Sequence, residues 1–451
     1  MACWRDCADG HDVIAYRFRA GAVAALRPFL LLALLFAAAW PSVSRAEDLQ
    51  DLVLIKSIEI NGLKRTKPRV IRRNLPFSEG DIWQSGDAKT GERRLLNLGL
   101  FSMAHISPPD EKGVVRIRVK ERWPFFLLPE GSRQDTGKTS VGLALTDHNL
   151  WGLNHNLRLA IREDTGKNFS GLSGTSYQGN YLWRRIGDGP VNLAVSFNKG
   201  RSIFDAYSNA SLVSQYKQDT TSWSARLDYM LGPVFSEGWN LGLGFSSDRT
   251  DYTLASGPAL TTVQGSCRNA VQSTVGYRFL DNHITWITGT LFDYRLDVAH
   301  SALGSTLNVY RHTASLRLYL PLNEPNTLDI RIDGGGATGK VLQDGLFDIG
   351  GGHQMRGYWP GELQGTYYAY GTVEGRFPIS SGGNFALVGF SDIGNIWNHG
   401  QSAFHKSVIV GVGMGARLTL RWLVHGIFRA DAAYGVATKK WRFYFGTGQA
   451  F

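Results

Sequence analysis

Apolar and polar residues alternate along most of the chain after residue 138. In a representative run, Val141, Leu143 and Leu145 are separated by small or polar residues. A repeat of two residues places apolar side chains on one face of a β-strand and polar side chains on the other. Strands of this kind, each of roughly ten residues, are typical of transmembrane β-barrels, which are apolar outside and polar in the lumen. A soluble β-sandwich is the alternative fold.

The alternation divides residues 124–451 into about sixteen antiparallel strands. We expect these strands to start near residues 139, 154, 173, 190, 208, 220, 238, 266, 284, 306, 326, 366, 384, 406, 422 and 439. An even number of strands places both ends of the barrel wall on the periplasmic side. The long connections at residues 251–265 and 337–365 then lie on the outer side. The sequence therefore predicts an all-β transmembrane barrel.

The pattern before the barrel is different, because helical spacing separates the strands. A first strand ends at the Asn61-Gly62 turn, Pro68 opens a short helix, and Gly99 ends a second helix. The expected elements are a strand at residues 54–60, helices at 68–75 and 85–98, and strands at 101–107 and 114–121. The order β-α-α-β-β predicts a small α/β domain within residues 47–123.

The first 46 residues have the features of a secretory signal peptide. Arginines precede an apolar run of twelve residues at 29–40, and Ser44 and Ala46 supply the small residues of a cleavage site. A run of this length is too short to span a bilayer as a helix, which needs about twenty residues. A membrane anchor is the alternative. We expect cleavage before Glu47 and export from the cytoplasm.

Composition and charge narrow the functional classes. The chain has 53 glycines in 451 residues and a net charge of +10. A basic balance fits nucleic acid, anionic lipid head groups or a basic lumen. No nucleic-acid-binding motif is present, so we favour the last two. Six of the ten residues at 64–73 are basic, which indicates either a solvated face or contact with anionic lipid heads or an acidic client.

The glycine-rich segment 350–361 holds the candidate functional residue. It reads GGGHQMRGYWPG and places Arg356 within a chain that otherwise resembles a membrane barrel. A charge there is costly unless it lies in a polar lumen and has a partner. Glu374 and Asp392, on the two strands that follow, have the phase to be such partners. A surface loop with an exposed arginine is the alternative.

With these motifs in place, the chain resembles the BamA/TamA-like superfamily of POTRA-barrel outer-membrane proteins. The α/β domain resembles a single POTRA module through Ile58-x-Ile60-x-Gly62 and Val115-x-Ile117-x-Val119-x-Glu121. The barrel shares Asp147-His-Asn-Leu-Trp-Gly152, Glu374-Gly-Arg-Phe-Pro378 and Phe390-Ser-Asp-Ile-Gly394. The resemblance implies a loop, 337–365, that folds inward. Its tip would dock on the lumen wall through these residues: Arg356, Gly357, Tyr358, Glu374, Asp392 and Gly394.

The resemblance also implies that the barrel closes at a weak lateral seam between the strands at 139–147 and 439–451. The seam residues expected on these strands are Val141, Leu143, Leu145, Phe443, Phe445, Gly446, Gly448 and Phe451. Glycine near the closing edge removes side-chain packing there. A seam that parts would offer the edge of the first strand, at 139–147, to a client chain, whose backbone groups would then never be left unpaired in lipid.

The function implied is assembly of outer-membrane proteins or translocation of polypeptide, with the POTRA module in the periplasm. Alternatives are a secretion pore dedicated to one partner protein and, less favoured, a passive porin. The expected partners are outer-membrane lipid, unfolded barrel or secreted clients, and periplasmic chaperones or a dedicated partner, with no nucleic acid. The sequence has no Gly-x-Ser-x-Gly or His-Glu-x-x-His motif, so we expect no enzyme, metal or cofactor.

Overall fold

The computed structural model describes residues 53–133, 138–166, 173–208, 211–342, 345–403 and 408–447. The predicted signal peptide lies outside these residues, as do Gly448 and Phe451. Residues Leu54–Phe451 form one compact unit. No helix within the described ranges is long and apolar enough to cross a membrane.

The N-terminal module, residues 54–121, has the predicted order β-α-α-β-β. Its elements are β1 (Ser57–Asn61), α1 (Pro68–Arg72), α2 (Asp87–Asn97), β2 (Phe101–Ser107) and β3 (Val114–Glu121). The sheet order is β1-β3-β2, with β1 parallel and β2 antiparallel to the central β3. Val115, Ile117 and Val119 are buried while the intervening basic residues face solvent, so the period of two in β3 produces the core face.

The barrel wall is a single antiparallel sheet of sixteen strands in consecutive order, which confirms the predicted fold class. Its strands are β4 (Phe125–Arg133), β5 (Lys138–Leu150), β6 (His155–Gly166), β7 (Ser173–Trp183), β8 (Val191–Ser208), β9 (Ser211–Met230), β10 (Glu237–Ser256), β11 (Ser266–Asn282), β12 (Ile287–Ala299), β13 (Val309–Asn323), β14 (Asn326–Gly339), β17 (Tyr367–Pro378), β18 (Phe385–Trp397), β19 (Ile409–Thr419), β20 (Ile427–Gly435) and β21 (Lys440–Thr447). Two short strands, β15 (Phe347–Asp348) and β16 (Gln364–Gly365), pair within the long loop between β14 and β17.

Two predicted strand positions were wrong, and the errors cancel in the count. The first strand of the sheet is β4, so the strand expected to be first, at residues 139–147, is the second. The sequence of β4, FFLLPEGSR, does not alternate, and it contains Pro129. Proline is tolerated in a strand at a sheet edge, where its missing N–H leaves no ladder bond unmade.

The second error divided β9 into two strands, with starts near residues 208 and 220. The structure has one continuous strand of 20 residues, Ser211–Met230. A tilted strand needs only about 9–11 residues to cross a bilayer. With a length of about 66 Å at about 3.3 Å per residue, β9 extends well beyond the bilayer. The part of β9 outside the bilayer does not need an apolar face, so its sequence is polar and resembles that of a loop between two strands.

The two faces of the wall differ as the alternation predicts. On β10, Leu241 and Leu243 point outward and are exposed, whereas Asn240 and Ser246 point into the lumen and are buried. The register with β9 places Ser246 opposite Ser224, whose hydroxyl bonds to that of Ser196 at 2.6 Å. The lumen face is therefore held by polar contacts between strands.

The N-terminal module is fixed to the short turns of the barrel. Arg73 pairs with Asp188 after β7 at 2.8 Å, and Arg94 pairs with Glu237 at the start of β10 at 3.0 Å. Asn97 donates to the carbonyl of Leu280 at 2.6 Å. Two further arginines of the basic stretch at 64–73 are also in ion pairs, namely Arg65 with Asp147 and Arg72 with Glu79. Arg69 also lies 3.8 Å from Asp188, so four of the six basic residues of that stretch are in ion pairs within the chain.

Cysteine labelling should distinguish the two faces of the wall. A bimane label on Leu243→Cys is expected to be quenched strongly by doxyl-labelled lipid, because Leu243 is 64% exposed on the apolar face. The same label on Ser246→Cys is expected to be quenched weakly, because Ser246 is 7% exposed on the lumen face. Fluorescence of the reconstituted protein gives the measurement, and equal quenching at the two positions would contradict the assigned faces.

Candidate functional site

The long loop between β14 and β17 returns into the lumen through a narrow neck. In the neck, β15 pairs with β16 so that Phe347 lies opposite Gly365. The carboxylate of Asp348 accepts hydrogen bonds from the backbone N–H groups of Gly350, at 3.0 Å, and Gly361, at 2.6 Å. These bonds hold both sides of the loop together and present the segment between them to the barrel wall.

Arg356, at the tip of this loop, is bound to both of the acidic residues predicted as its partners, Glu374 and Asp392. Its Nε and Nη2 donate to the two oxygens of Asp392, each at 2.9 Å, and its Nη1 donates to Glu374 at 2.6 Å. Its backbone N–H also donates to Asp392 at 3.0 Å, and its guanidinium lies over the Phe390 ring at 3.3 Å from the centroid. Arg356 is 1% exposed and Asp392 0%. A buried charge with this many bonds is well satisfied.

A second group of charges, on β19 and β20, extends this network. Arg417 donates to both oxygens of Glu374, at 3.1 and 3.2 Å, and also to Asp431. Arg429 lies 3.5 Å from Asp431 and donates to the carbonyl of Gly352 in the loop at 2.8 Å. Three arginines thus meet three carboxylates across four neighbouring strands. None of Arg417, Arg429 and Asp431 was among the predicted site residues, although Arg417 interrupts an alternation of glycine with apolar residues and carries that signal in the sequence.

The loop tip lies against the wall with backbone facing backbone. Gly357 has a φ of +94°, and a Cβ on it would lie 2.7 Å from the backbone nitrogen of Gly435. A Cβ on Gly411 would lie 1.9 Å from the carbonyl oxygen of Arg356. Glycine is therefore required on both surfaces, for its left-handed conformation in the loop and for close approach in the wall.

The residues beside Arg356 are buried in the wall as well. The Tyr358 hydroxyl donates to the carbonyl of Val410 at 3.1 Å and accepts from the N–H of Ala437 at 3.2 Å.

Gly394, which was predicted to belong to the dock, lies opposite Tyr370 in the sheet, and a Cβ there would come within 2.4 Å of the Tyr370 Cβ. Its role is to make room for that tyrosine, which packs in the apolar cluster beside the loop.

The last strand, β21, binds the loop through a residue that sequence analysis did not select. The hydroxyl of Tyr444 accepts from the N–H of Gly357 at 3.1 Å and donates to the carbonyl of Tyr358 at 2.9 Å. Arg442, two residues earlier on the same face, pairs with Glu362 at 2.9 Å. A tyrosine between two phenylalanines could have been recognised as the polar member of an alternating strand.

The predicted seam residues are distributed differently from the expectation. Phe443 and Phe445 are exposed on the outer face of β21, and Gly446 lies opposite Arg429 of β20. Val141, Leu143 and Leu145 lie on β5 and not on the closing strand, which corrects their assignment. The physical reason is the non-alternating strand β4, which pairs with β5 and takes the place of the first strand.

Removal of Arg356 should destabilise the barrel substantially. The variant Arg356→Ala leaves Asp392 buried without its main partner, at an expected cost of about 3–5 kcal/mol in the free energy of unfolding. The control is Arg201→Ala, whose pair with Asp219 at 2.7 Å has side chains 45% and 42% exposed. An exposed pair contributes about 0–1 kcal/mol. Urea titration followed by tryptophan fluorescence measures both, and similar losses would contradict a special role for the dock.

Removal of the Tyr444 hydroxyl should loosen the last strand while retaining the ring. Tyr444→Phe loses two hydrogen bonds and leaves the Gly357 N–H unsatisfied, which should cost about 1–3 kcal/mol. Hydrogen exchange of Lys440–Thr447 should become faster. Tyr434→Phe is the matched control: it removes a hydroxyl from the neighbouring strand β20, and its ring, 5.5 Å from that of Trp441, also packs against β21. Unchanged exchange in Tyr444→Phe would show that the loop does not hold β21.

Comparisons with known proteins agree with this architecture. Residues 149–451 match the Omp85 superfamily domain, and residues 53–122 match POTRA, the surface antigen variable number repeat. A curated relative, outer membrane protein assembly factor BamA of Neorickettsia risticii (strain Illinois), is 27% identical over 234 residues, 51% of this chain and 29% of that protein. BamA of Nitratidesulfovibrio vulgaris is 21% identical over 322 residues, 68% of this chain and 38% of that protein. The matched region therefore spans well under half of these relatives.

Solved structures show the same fold. BamA from Haemophilus ducreyi lacking POTRA domains 1–3 superposes with a TM-score of 0.51 and 16% identity, over 97% of this chain and 94% of that one. CdiB from Acinetobacter baumannii gives a TM-score of 0.58 and 18% identity, over 87% and 73%. With one POTRA module, a sixteen-stranded barrel and a match over most of its length, the chain belongs to the Omp85 superfamily of outer-membrane barrel proteins with a periplasmic POTRA module.

Proposed function

We propose that this protein promotes the assembly of β-barrel proteins into the outer membrane by offering a strand edge of its own barrel to the client. The observation that carries the proposal is the docked loop, which fixes the last strand, β21, through Tyr444 and Arg442. The two curated relatives named above are BamA assembly factors, which supports assembly over other uses of the fold.

The physical step is strand pairing, without covalent chemistry. A client strand in lipid cannot leave its backbone N–H and C=O groups unpaired, because each unsatisfied group costs several kcal/mol. In the proposed step, β4 and β21 part and the client pairs with an edge released between them. The exposed aromatic residues Phe443 and Phe445 on β21 face lipid at this position.

The docked loop gives the released edge a defined shape. Because Arg356 is bound to β17 and β18 while Tyr444 links the loop to β21, the last strand keeps its position relative to the wall. A pre-positioned edge avoids the loss of conformational entropy that an unfixed strand would bear on binding a client. In this proposal the N-terminal module, in the periplasm, delivers clients to this edge.

Reconstitution in liposomes tests the proposal. Residues 47–451 are inserted into liposomes, and the folding of urea-denatured barrel clients is followed by heat-modifiable mobility on gels. We expect clients to fold faster than in empty liposomes. In Arg356→Ala and Asp392→Ala the acceleration should be at least about tenfold smaller, because losing an interaction of about 1.4 kcal/mol lowers a rate about tenfold. Arg201→Ala should retain it.

The controls separate loss of function from loss of fold. Each variant's own heat-modifiable band shows that its barrel is folded at the assay temperature. No acceleration of any client by the unmodified protein would overturn the proposal. Passage of an unfolded polypeptide into the liposomes in that case would assign the chain to dedicated secretion of a partner protein.

A further inference from the structure

The turn between β19 and β20 is built into the core of the N-terminal module. Val424, in this turn, is 0% exposed and belongs to the same apolar cluster as Phe101 and Val119 of the module. Among the described residues of that cluster, Val424 alone comes from the barrel. A barrel turn thus supplies part of the hydrophobic core of another domain.

Backbone and charge hold this turn in place. The N–H of Trp123 donates to the carbonyl of Trp422 at 2.6 Å, and the N–H of Val424 donates back to Trp123 at 3.0 Å. The buried guanidinium of Arg122 donates to the carbonyls of Leu423 and Gly99, and so bridges turn and module. Burial, with the nearby charge of Arg421, lowers the pKa of Arg122 to about 10, so this side chain is still cationic at neutral pH.

The same hairpin forms part of the surface that binds the tip of the lumen loop. Its strands pair Arg417 with Arg429 close to the turn and Gly411 with Gly435 at the other end. The charged residues bind Glu374 and Gly352, and the glycines receive the backbone of Arg356 and Gly357. The nine steps along the chain from Gly411 to Leu420 in the turn cover about 30 Å at about 3.3 Å per residue. One hairpin therefore contacts the N-terminal module at one end and the loop tip at the other.

The other contacts of the module lie elsewhere on the barrel rim. Arg93 and Arg94 bind Glu237 at the start of β10, at 2.7 and 3.0 Å, and Asn97 binds the carbonyl of Leu280 on β11. Neither β10 nor β11 belongs to the strands that hold Arg356. The module is also attached through Arg65 to Asp147 on β5 and through Arg73 to Asp188 after β7. Among these described attachments, only the β19–β20 turn lies on strands that contact the loop tip.

We propose that the β19–β20 hairpin couples the N-terminal module to the lumen loop, with Val424 and Arg122 as the residues that position the hairpin. A client or partner that shifts the module at this turn changes the stability of the Arg356 dock. Conversely, release of the loop from the dock weakens the binding of the module to the turn by the same factor in the equilibrium constant, because coupling between binding sites is reciprocal. The coupling goes beyond the proposed function and applies equally to insertion and to secretion.

Hydrogen exchange measured by mass spectrometry on the reconstituted chain, residues 47–451, tests the coupling without an activity assay. The loop tip is readable, because the N–H groups of Met355, Arg356 and Gly357 are all hydrogen-bonded. Val424→Ala should speed exchange at the loop tip on the order of tenfold, within the range usual for coupled sites. Glu237→Gln, which weakens the attachment at β10, should speed exchange in α2 and leave the loop tip unchanged.

The reverse experiment uses the loop as the origin of the disturbance. Arg356→Ala should speed exchange at residues 422–424 and not at residues 237–238. Loop-tip exchange that is unchanged in Val424→Ala, or that rises equally in Glu237→Gln, would overturn the proposal.

A second variant covers the case in which Val424→Ala unfolds the module, which exchange in β3 (Val114–Glu121) would reveal. Arg122→Gln leaves the apolar core intact and removes the charged bridge to the turn. It should also speed loop-tip exchange, and its failure to do so would count against the coupling.

Discussion

The burial of one guanidinium constrains the rest of the barrel. Arg356 is removed from water, so its charge must be compensated within the lumen, and the strands that carry the compensating carboxylates must keep their register. A slip of one residue in β18 would turn Asp392 to the lipid face and bring its neighbours inward. The dock therefore constrains the register of β17 and β18 from the lumen side, in addition to the backbone ladder.

The second group of charges explains why the network is balanced. Glu374 accepts from both Arg356 and Arg417, and Asp431 in turn accepts from Arg417 and lies beside Arg429. With three cations and three anions, no member is left as an unpaired buried charge, which would cost several kcal/mol. The arrangement also joins β17 to β20 from the lumen side, where the loop covers the wall.

Sequence reasoning succeeded where side-chain phase decides and failed where it does not. The phase of two placed Glu374 and Asp392 on the lumen face, and charge alone then selected them as partners of Arg356. The alternation shows which face of a strand a residue is on but not its position along the barrel axis. The contact of Arg417 with Glu374 therefore could not be predicted without knowing the register of the strands. The turn around Val424 carries no local signal at all, because its burial depends on a domain more than 300 positions earlier, as the bond from Arg122 to Leu423 shows.

The errors in strand position have the same origin. Alternation identifies a strand only where one face is apolar and the other polar, and β4 and the outer part of β9 lack that contrast. For β4 the consequence is functional, because it moves the predicted seam by one strand. In the proposed mechanism β21 is bound through Tyr444 to the loop, and the loop to the β19–β20 hairpin and the N-terminal module. Trp123, just before β4, is bonded to the β19–β20 turn, so the start of β4 is held by the same group of elements. In the proposed parting of the seam, the rest of β4 is therefore displaced, and the edge whose register is kept for a client is that of β21.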